Sequence, residues 1–434
     1  MFDSILKRLQ GKRVLILGYG REGSTTLEFL QKYLPDLEVG VADRNESALE
    51  GLKNRESSAL TSGSLPRLHS GEGYLQAIYD YDLVIKTPGI SLKGFDTRGV
   101  EITSQTDLFL QQFHKQTIGI TGTKGKSTTT SMIYHLLKES GRDAILVGNI
   151  GVPIDINIME QIHEDSIVVY ELSAHQLEYV HNSPRVGVLL NVFEEHLDHF
   201  GVFERYKYAK FNLLRFMGPD DFAVVHESLM MEVLDLGVNN VTFSRMDYDI
   251  DEFAFPLKGE HNLSNAKAAL CACEKYGVDV KELIPHLYTF KGLKHRLEEV
   301  GTFGGVAFIN DSISTTPQST IAGCEAFFGV SFLLLGGMDR GINYKPLVDY
   351  LAQHPVEHLL FTGEAGERMM KLMKEKGVKS NLVKYNSMEE AFQYIHDNAI
   401  LHDVCLLSPA APSYDQYKNF EERGDKFKEL AKKF

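Results

Sequence analysis

Cysteine is scarce, and its placement excludes two structural devices. The 434 residues hold four cysteines: Cys271, Cys273, Cys324 and Cys405. Cys271 and Cys273 fall in a helical pattern with no second ligand pair, which argues against a zinc site, and nothing suggests a disulfide framework. Long apolar runs are missing too, so no segment is expected to span a bilayer. The stretch 1–10 carries charges where a secretory signal needs its apolar core. Basic excess is absent: the net charge is −14, which disfavours a broad nucleic-acid or anionic-membrane surface. No short-period repeat or low-complexity tract occurs. The remainder, 43% hydrophobic and 24% charged, is ordinary globular material, and its length suggests about three domains. A soluble, reducing, cytoplasmic setting is expected, with no nucleic-acid or membrane partner.

Glycine, by contrast, stands repeatedly at the ends of apolar segments. Residues 117–137 read as a short strand, a glycine-rich turn and a helix. The turn closes with Gly125-Lys126-Ser127-Thr128. Its glycines let backbone N–H groups close around a polyphosphate, Lys126 supplies a point charge to the outer phosphates, and Ser127 or Thr128 can ligate Mg²⁺. Met132, Ile133, Leu136 and Leu137 recur at helical spacing, and Gly141 is a stop. The strict P-loop pattern would put its first glycine at Ile120. Here Gly119 and Gly122 flank that place. An ordinary strand-to-helix turn that happens to carry a lysine is the plainer alternative.

A second glycine cluster lies upstream. Gly18, Gly20 and Gly23 follow a strand over 13–17 in the spacing of a dinucleotide fingerprint. Asp43 ends the next strand, where an acid commonly binds a ribose. Thr87-Pro-Gly-Ile follows a strand over 83–86, at the carboxyl end where α/β ligand sites sit. Alone, this pattern suggests an NAD enzyme; the P-loop downstream lowers that reading. For Asp43 and the Thr87 loop, plain turn chemistry is the alternative. Strands are expected further on at 144–147, 167–170, 186–191, 222–226, 306–310, 332–335, 358–362 and 404–407. Helical patterns alternate with those of the last third. The rhythm predicts mostly parallel, doubly wound sheets. Glu171 and His196 follow strands and are expected to face the P-loop edge, where a nucleotide-bound metal needs a ligand.

Read in order, the glycine loop is one of a series of motifs. Gly148-Asn-Ile-Gly151, Glu171-Leu-Ser173 with Gln176-Leu-Glu178, Asn191 through His196-Leu-Asp198 and Tyr208-Ala-Lys210 follow it. Then come His261-Asn262 with Asn265, His295-Arg296, Asn310-Asp-Ser312, Gly336-Gly337 with Asp339-Arg340, and Leu407 through Ala410 with Ser413 and Phe420. Over the whole chain this series resembles the Mur ligases of peptidoglycan synthesis. The resemblance implies three α/β domains. The first, 1–106, is Rossmann-like and binds a UDP-linked substrate. The second, 107–294, is a P-loop ATPase-type domain with a mostly parallel sheet. The third, 295–434, is Rossmann-like, binds glutamate and contributes to the ATP site. It implies ATP-dependent ligation of D-glutamate to UDP-N-acetylmuramoyl-L-alanine through an acyl phosphate, by a monomer.

By the same resemblance, Gly122, Thr123, Lys124, Gly125, Lys126, Ser127 and Thr128 bind ATP with Asn262, Asn265, Arg296 and Asp311. Ser127, Glu171, His196 and Lys210 serve Mg²⁺, with Lys210 carbamylated; a bland helix-surface lysine is the alternative there. Lys126, Glu171, His196 and Lys210 form the catalytic set. Gly20, Arg21, Glu22, Gly23, Asp43 and Thr87 hold the uridine diphosphate, and Asn149 sits near the reacting end. Thr315, Arg340, Ser413 and Phe420 receive the glutamate. For Asn262 and Asn265 the alternative is helix capping. Two departures stand out. Lys124 replaces the family's usual Asn, and Ile313 replaces a lysine. The second leaves open L-glutamate, which a related branch of the family uses. A folylpolyglutamate-type ligase would not need residues 1–106, and a non-catalytic nucleotide sensor would not need Glu171, His196 and Lys210 together.

Overall fold

The computed structural model describes residues 2–52, 65–150, 152, 154–257, 259–327 and 329–434. Gly151 of the Gly148 motif lies outside them, as does the side chain of Asp198. Three sheets are formed. The first contains β1 (Val14–Leu17), β2 (Val39–Asp43), β3 (Arg67–Ser70), β4 (Leu83–Lys86) and β5 (Glu101–Thr103), in the order β3-β2-β1-β4-β5. The second contains β6 (Thr117–Thr121), β7 (Ala144–Gly148), β8 (Ile167–Glu171), β9 (Val186–Leu189), β10 (Phe222–Val225) and β11 (Asn240–Thr242), in the order β11-β10-β9-β6-β8-β7. The third contains β12 (Glu298–Phe303), β13 (Val306–Asn310), β14 (Val330–Gly336), β15 (His358–Thr362), β16 (Asn381–Lys384) and β17 (Val404–Leu407), in the order β12-β13-β17-β14-β15-β16. The first two sheets belong to one compact unit, Met1–Phe290, and the third to another, Lys291–Phe434.

Every pairing in the first two sheets is parallel. The third is parallel except for β12 against β13. That pair is joined through Gly304 and Gly305, with φ of 56° and 84°, the backbone a tight primed hairpin turn demands. The apolar segments anticipated from the sequence are central strands and β7. The unanticipated strands, β3, β5, β11, β12 and β16, are all sheet edges. An edge strand has one open side and needs no continuous apolar run, so its sequence carries a weak signal.

The core beneath the glycine loop follows from the helix pattern. Met132, Ile133, Leu136 and Leu137 are fully buried on one face of the helix Lys126–Glu139. The helix Glu260–Tyr276 lies in the same core with a small-residue face of Ala266, Ala269 and Cys273. Small side chains let the two helices approach, and the approach carries Asn265 to the mouth of the loop. All four cysteines are free thiols. Among the described residues no helix is long and apolar enough to cross a membrane.

Candidate active site

Strand β6 runs directly into the loop, and Gly125 caps the following helix at φ 84°. A Cβ there would lie 2.6 Å from Asn265 Oδ1, so the loop closes against its neighbour only with glycine. The loop is tied down from the β9 side. Lys124 N donates to Asn191 Oδ1 at 2.8 Å, and Asn191 Nδ2 donates to Lys124 O at 3.1 Å. Thr123 Oγ1 accepts from Phe193 N at 2.9 Å and bonds Tyr206 OH at 3.0 Å. Burial pushes the Tyr206 hydroxyl up to about 12, so it stays protonated. These bonds shape the loop in advance of any phosphate, which is what preorganised charge stabilisation needs.

Two lysines converge on one carbonyl. Lys126 Nζ donates to Gly122 O at 2.9 Å and Thr123 O at 3.0 Å. Lys210 Nζ donates to the same Gly122 O at 2.8 Å. Lys210 is 1% exposed, so it is no surface lysine. Burial first, then the charge of Lys126, push its ammonium well below the ordinary lysine value, with Glu195 opposing. Glu171 ends β8 in register with Ile120 of β6 and is buried. Leu172 N donates to Ile120 O at 2.8 Å, and Thr121 Oγ1 to Leu172 O at 2.7 Å, so the carboxylate is strapped beside the loop.

His196 stands in the left-handed region at φ 57°, before the short helix Leu197–Phe200. Its ring lies 5.9 Å from that of Tyr206, and Lys210 Nζ lies 4.8 Å over the same ring. Tyr206 therefore gathers His196, Lys210 and Thr123. Sequence reasoning named Tyr208 instead, which is exposed against Arg215. A tyrosine one helical turn before Lys210 was the available signal. The donor set suits Mg²⁺: a helix-start hydroxyl at Ser127 and a strand-end carboxylate at Glu171, both oxygen ligands. Among the described residues no three His, Cys, Asp or Glu cluster as a metal cage. Asn262 and Asn265 lie inside the helix Glu260–Tyr276, which Gly259 caps. Asn265 Nδ2 donates to Asn262 Oδ1 at 3.4 Å.

The fingerprint loop is equally constrained. A Cβ on Gly23 would lie 2.1 Å from Gly18 O, so glycine is required for the close helix–strand packing. Asp43 accepts from Tyr19 N at 2.7 Å and Asn45 N at 2.8 Å, and Thr87 Oγ1 donates to Leu17 O at 3.0 Å. Both shape the turn. A cavity of about 280 Å³ opens beside it, lined by Arg21, Glu22, Gln105, Gly148, Asn149, Ile154, Tyr170 and Gln176. That volume is close to the ~300 Å³ lower end of small-molecule sites. It brings Arg21 and Glu22 together with Asn149, as the resemblance implied, and with Gln176, a residue of the motif series that had carried no assigned role. Burial raises the Glu22 carboxyl above its ordinary value, against Gln176 and Lys86. A larger cleft of about 530 Å³ flanks the edge strand β7 with Tyr134, Lys138, Asp143 and His163. Its described lining contains no glycine.

The Lys291–Phe434 unit has its own cluster. Asp311 follows β13 and accepts from Ser408 Oγ at 2.8 Å and Leu297 N at 3.2 Å; burial pushes its carboxyl up to about 6. Buried Arg423 donates to Ser312 O at 2.8 Å, Ser312 Oγ at 3.0 Å and Ala411 O at 3.1 Å. Ser312 Oγ in turn donates to Phe420 O at 2.8 Å. Arg423 thus joins the Asp311 segment, the Ser413 loop and Phe420. In sequence it looks like one more charge on the helix Phe420–Ala431. Arg340 is exposed, 5.9 Å over the ring of Tyr414 beside Ser413. Thr315 and Arg296 are half-buried, and Ile313 N donates to His295 O at 3.1 Å.

Comparison with known proteins points one way. The family description "Mur ligase middle domain" matches residues 120–247. A protein of Acetivibrio thermocellus named UDP-N-acetylmuramoylalanine--D-glutamate ligase is 31% identical over 98% of this chain and 97% of its own length. One of the same name from Alkaliphilus oremlandii is 32% identical over 97% and 98%. Among solved structures, a MurF ligase of Thermotoga maritima in complex with ADP shares the fold. Its TM-score is 0.56 at 17% identity, over 98% of this chain and 96% of that one.

Proposed function

From the premise that the chain belongs to the Mur ligase family of ATP-dependent amide ligases, we propose that it joins D-glutamate to UDP-N-acetylmuramoyl-L-alanine, releasing ADP and phosphate, as a cytoplasmic step of peptidoglycan precursor synthesis. The observation that carries this reading is the meeting of Lys126 and Lys210 at the Gly122 carbonyl, with Glu171 strapped beside them. In this reading residues 1–106 hold the UDP-linked substrate, 107–294 the ATP, and 295–434 the glutamate.

A carboxylate is a poor electrophile, so the alanyl carboxylate needs a leaving group. Phosphoryl transfer from ATP supplies it, and the amine of glutamate then displaces phosphate. Lys126 swings from its loop carbonyls to the outer phosphates. The loop N–H groups, fixed by Asn191 and Thr123, meet the charge that develops on the phosphoryl oxygens. Ser127 and Glu171 would hold Mg²⁺, which supplies positive charge at the same oxygens, with His196 and Lys210 beyond them. An ammonium at Lys210 would oppose the ion; a carbamate would not. Burial beside Lys126 favours the neutral amine, the form that attacks CO₂, forming an N–C bond and releasing a proton. Ligation is expected to fall when dissolved CO₂ is stripped and to return with bicarbonate. Labelled bicarbonate should appear on Lys210 and not in a Lys210→Ala variant. Full activity without CO₂ would leave Lys210 as a plain cation.

Ile313 is the observation that keeps L-glutamate in view as a second reading. Offering both enantiomers to the enzyme with UDP-N-acetylmuramoyl-L-alanine, and following phosphate release, decides it. D-glutamate is expected to be the better substrate. Preference for L-glutamate would move the assignment to the other branch, and release that depends on neither substrate would end the ligase reading.

A further inference from the structure

The cavity between the fingerprint turn and Asn149 holds a polar atom with an unmet need. Glu22 occupies the first turn of the helix Arg21–Tyr33, where its expected part was to hold a diphosphate. A carboxylate has the wrong sign for that. It repels phosphate at the same helix start whose N–H groups attract it. Its Oε1 accepts from Gln176 Nε2 at 3.2 Å. Its Oε2 is buried and accepts no hydrogen bond from the described residues. Buried polar atoms are nearly always hydrogen-bonded, so the partner has to come from whatever fills the cavity.

The neighbours fix where that carboxylate stands. Gln176 Oε1 accepts from Ser173 N and Ser173 Oγ, both at 3.0 Å, which turns its amide N–H toward Glu22. Glu22 is thereby held in one pose before any ligand arrives. The cavity has two ends. One is formed by Arg21 and Glu22 of the fingerprint turn. The other is Asn149, which follows β7, whose Gly148 pairs with Glu171 beside the ATP loop. In the substrate of the proposed ligation, the part between a diphosphate and the reacting carboxyl is an acylated amino sugar. That part offers hydroxyl and amide N–H donors and no cation.

Resting on the proposed ligation, we propose that Glu22 reads the sugar–acyl portion of the nucleotide substrate, its Oε2 accepting a hydrogen bond from a hydroxyl or amide N–H there, and that it is a specificity residue and not a diphosphate ligand. The diphosphate falls instead to the backbone N–H groups of the turn and to Arg21.

Calorimetric titration of UDP and of UDP-N-acetylmuramoyl-L-alanine into wild type, Glu22→Ala and Glu22→Gln tests this. Wild type is expected to bind the full substrate more tightly than UDP. Glu22→Ala should weaken the full substrate by ~10–100-fold, the loss of one charged hydrogen bond, while UDP binding stays level or tightens as a negative charge leaves. Glu22→Gln, which keeps an acceptor oxygen, should fall between. In turnover, KM for the nucleotide substrate should rise while KM for ATP and for glutamate stay put. Equal weakening of UDP and full substrate, or unchanged binding of both, overturns the assignment. A drop in melting temperature that accounts for the loss does the same. A wild type that binds UDP-N-acetylmuramoyl-L-alanine no better than UDP sinks the ligation reading itself.

Discussion

Replacing Lys126 with alanine is expected to remove ligation while leaving the protein folded. The Nζ group donates to loop carbonyls, Gly122 O and Thr123 O. Gly122 O keeps a donor in Lys210 when Lys126 is gone, and the loop keeps its ties to Asn191, Phe193 and Tyr206. No apolar core depends on the side chain. What is lost is the one mobile cation placed at the loop for the transferred phosphoryl group. Removing a single preorganised donor from such a site costs ~100–1,000-fold in turnover. ADP release with saturating substrates should fall at least that far, with the melting temperature within a few degrees of wild type. A variant that ligates at a near-normal rate would mean that phosphate binds elsewhere. A variant that fails to fold would mean that the loop needs the lysine structurally, and Lys126→Met, which keeps the aliphatic stem, separates the two.

The fold was legible wherever a strand is buried on both faces. Segments such as 306–310 and 404–407 announce themselves as apolar runs because parallel strands covered by helices need them. The edges were not legible, since a segment such as Arg67–Ser70 or Asn381–Lys384 is half polar and gains its pairing only from a neighbour far along the chain. β12 left a readable mark, the Gly304-Gly305 pair, which a strictly alternating strand–helix reading passes over. At the site, the loop glycines, Lys126 and Glu171 were legible from the motif spacing as candidates. Residues that act on other residues were not. Tyr206 and Arg423 reveal their tasks only when tertiary structure supplies the partner. Lys210 shows the limit in reverse. Its motif was visible, but whether it was a surface lysine or a buried one depended on where the helix Phe203–Arg215 turned its face.

Asp107→Asn should be the most destabilising conservative change in the first unit. The residue is fully buried in the first turn of the helix Gln105–Phe113, whose cap, Ser104 Oγ, accepts from Asp107 N at 3.1 Å. Its Oδ2 accepts from Arg8 Nη1 at 2.9 Å and Thr103 Oγ1 at 2.8 Å. Its Oδ1 accepts from His181 N at 2.7 Å and Asn182 Nδ2 at 2.8 Å. One carboxylate thus ties the helix Asp3–Leu9 and the end of β5 to a loop that precedes β9. An asparagine keeps the shape but turns an N–H₂ toward donors. The expected loss is ~3 kcal/mol, the lower end of what removing one partner of a buried pair costs, because Arg8 retains Glu101 at 3.0 Å. Against a typical total of ~5–15 kcal/mol, urea unfolding should register it clearly, and a loss under ~1 kcal/mol would show that the four bonds are redundant. The pH dependence gives an independent check. Burial pushes this carboxyl up, but hydrogen bonds from His181, Asn182 and Thr103 outweigh it and hold the group well below the usual carboxylate range. A depressed folded-state value means that the contribution is complete above the ~3.9 of an unfolded aspartate and is lost as pH falls from there toward the folded value. The stability gap between wild type and Asp107→Asn should therefore shrink as pH rises past the ~6.5 of an unfolded histidine, because Asp107 raises the His181 imidazole, and should narrow again below about pH 4. A gap that stays fixed through that acid range would assign the loss to packing and not to the charge.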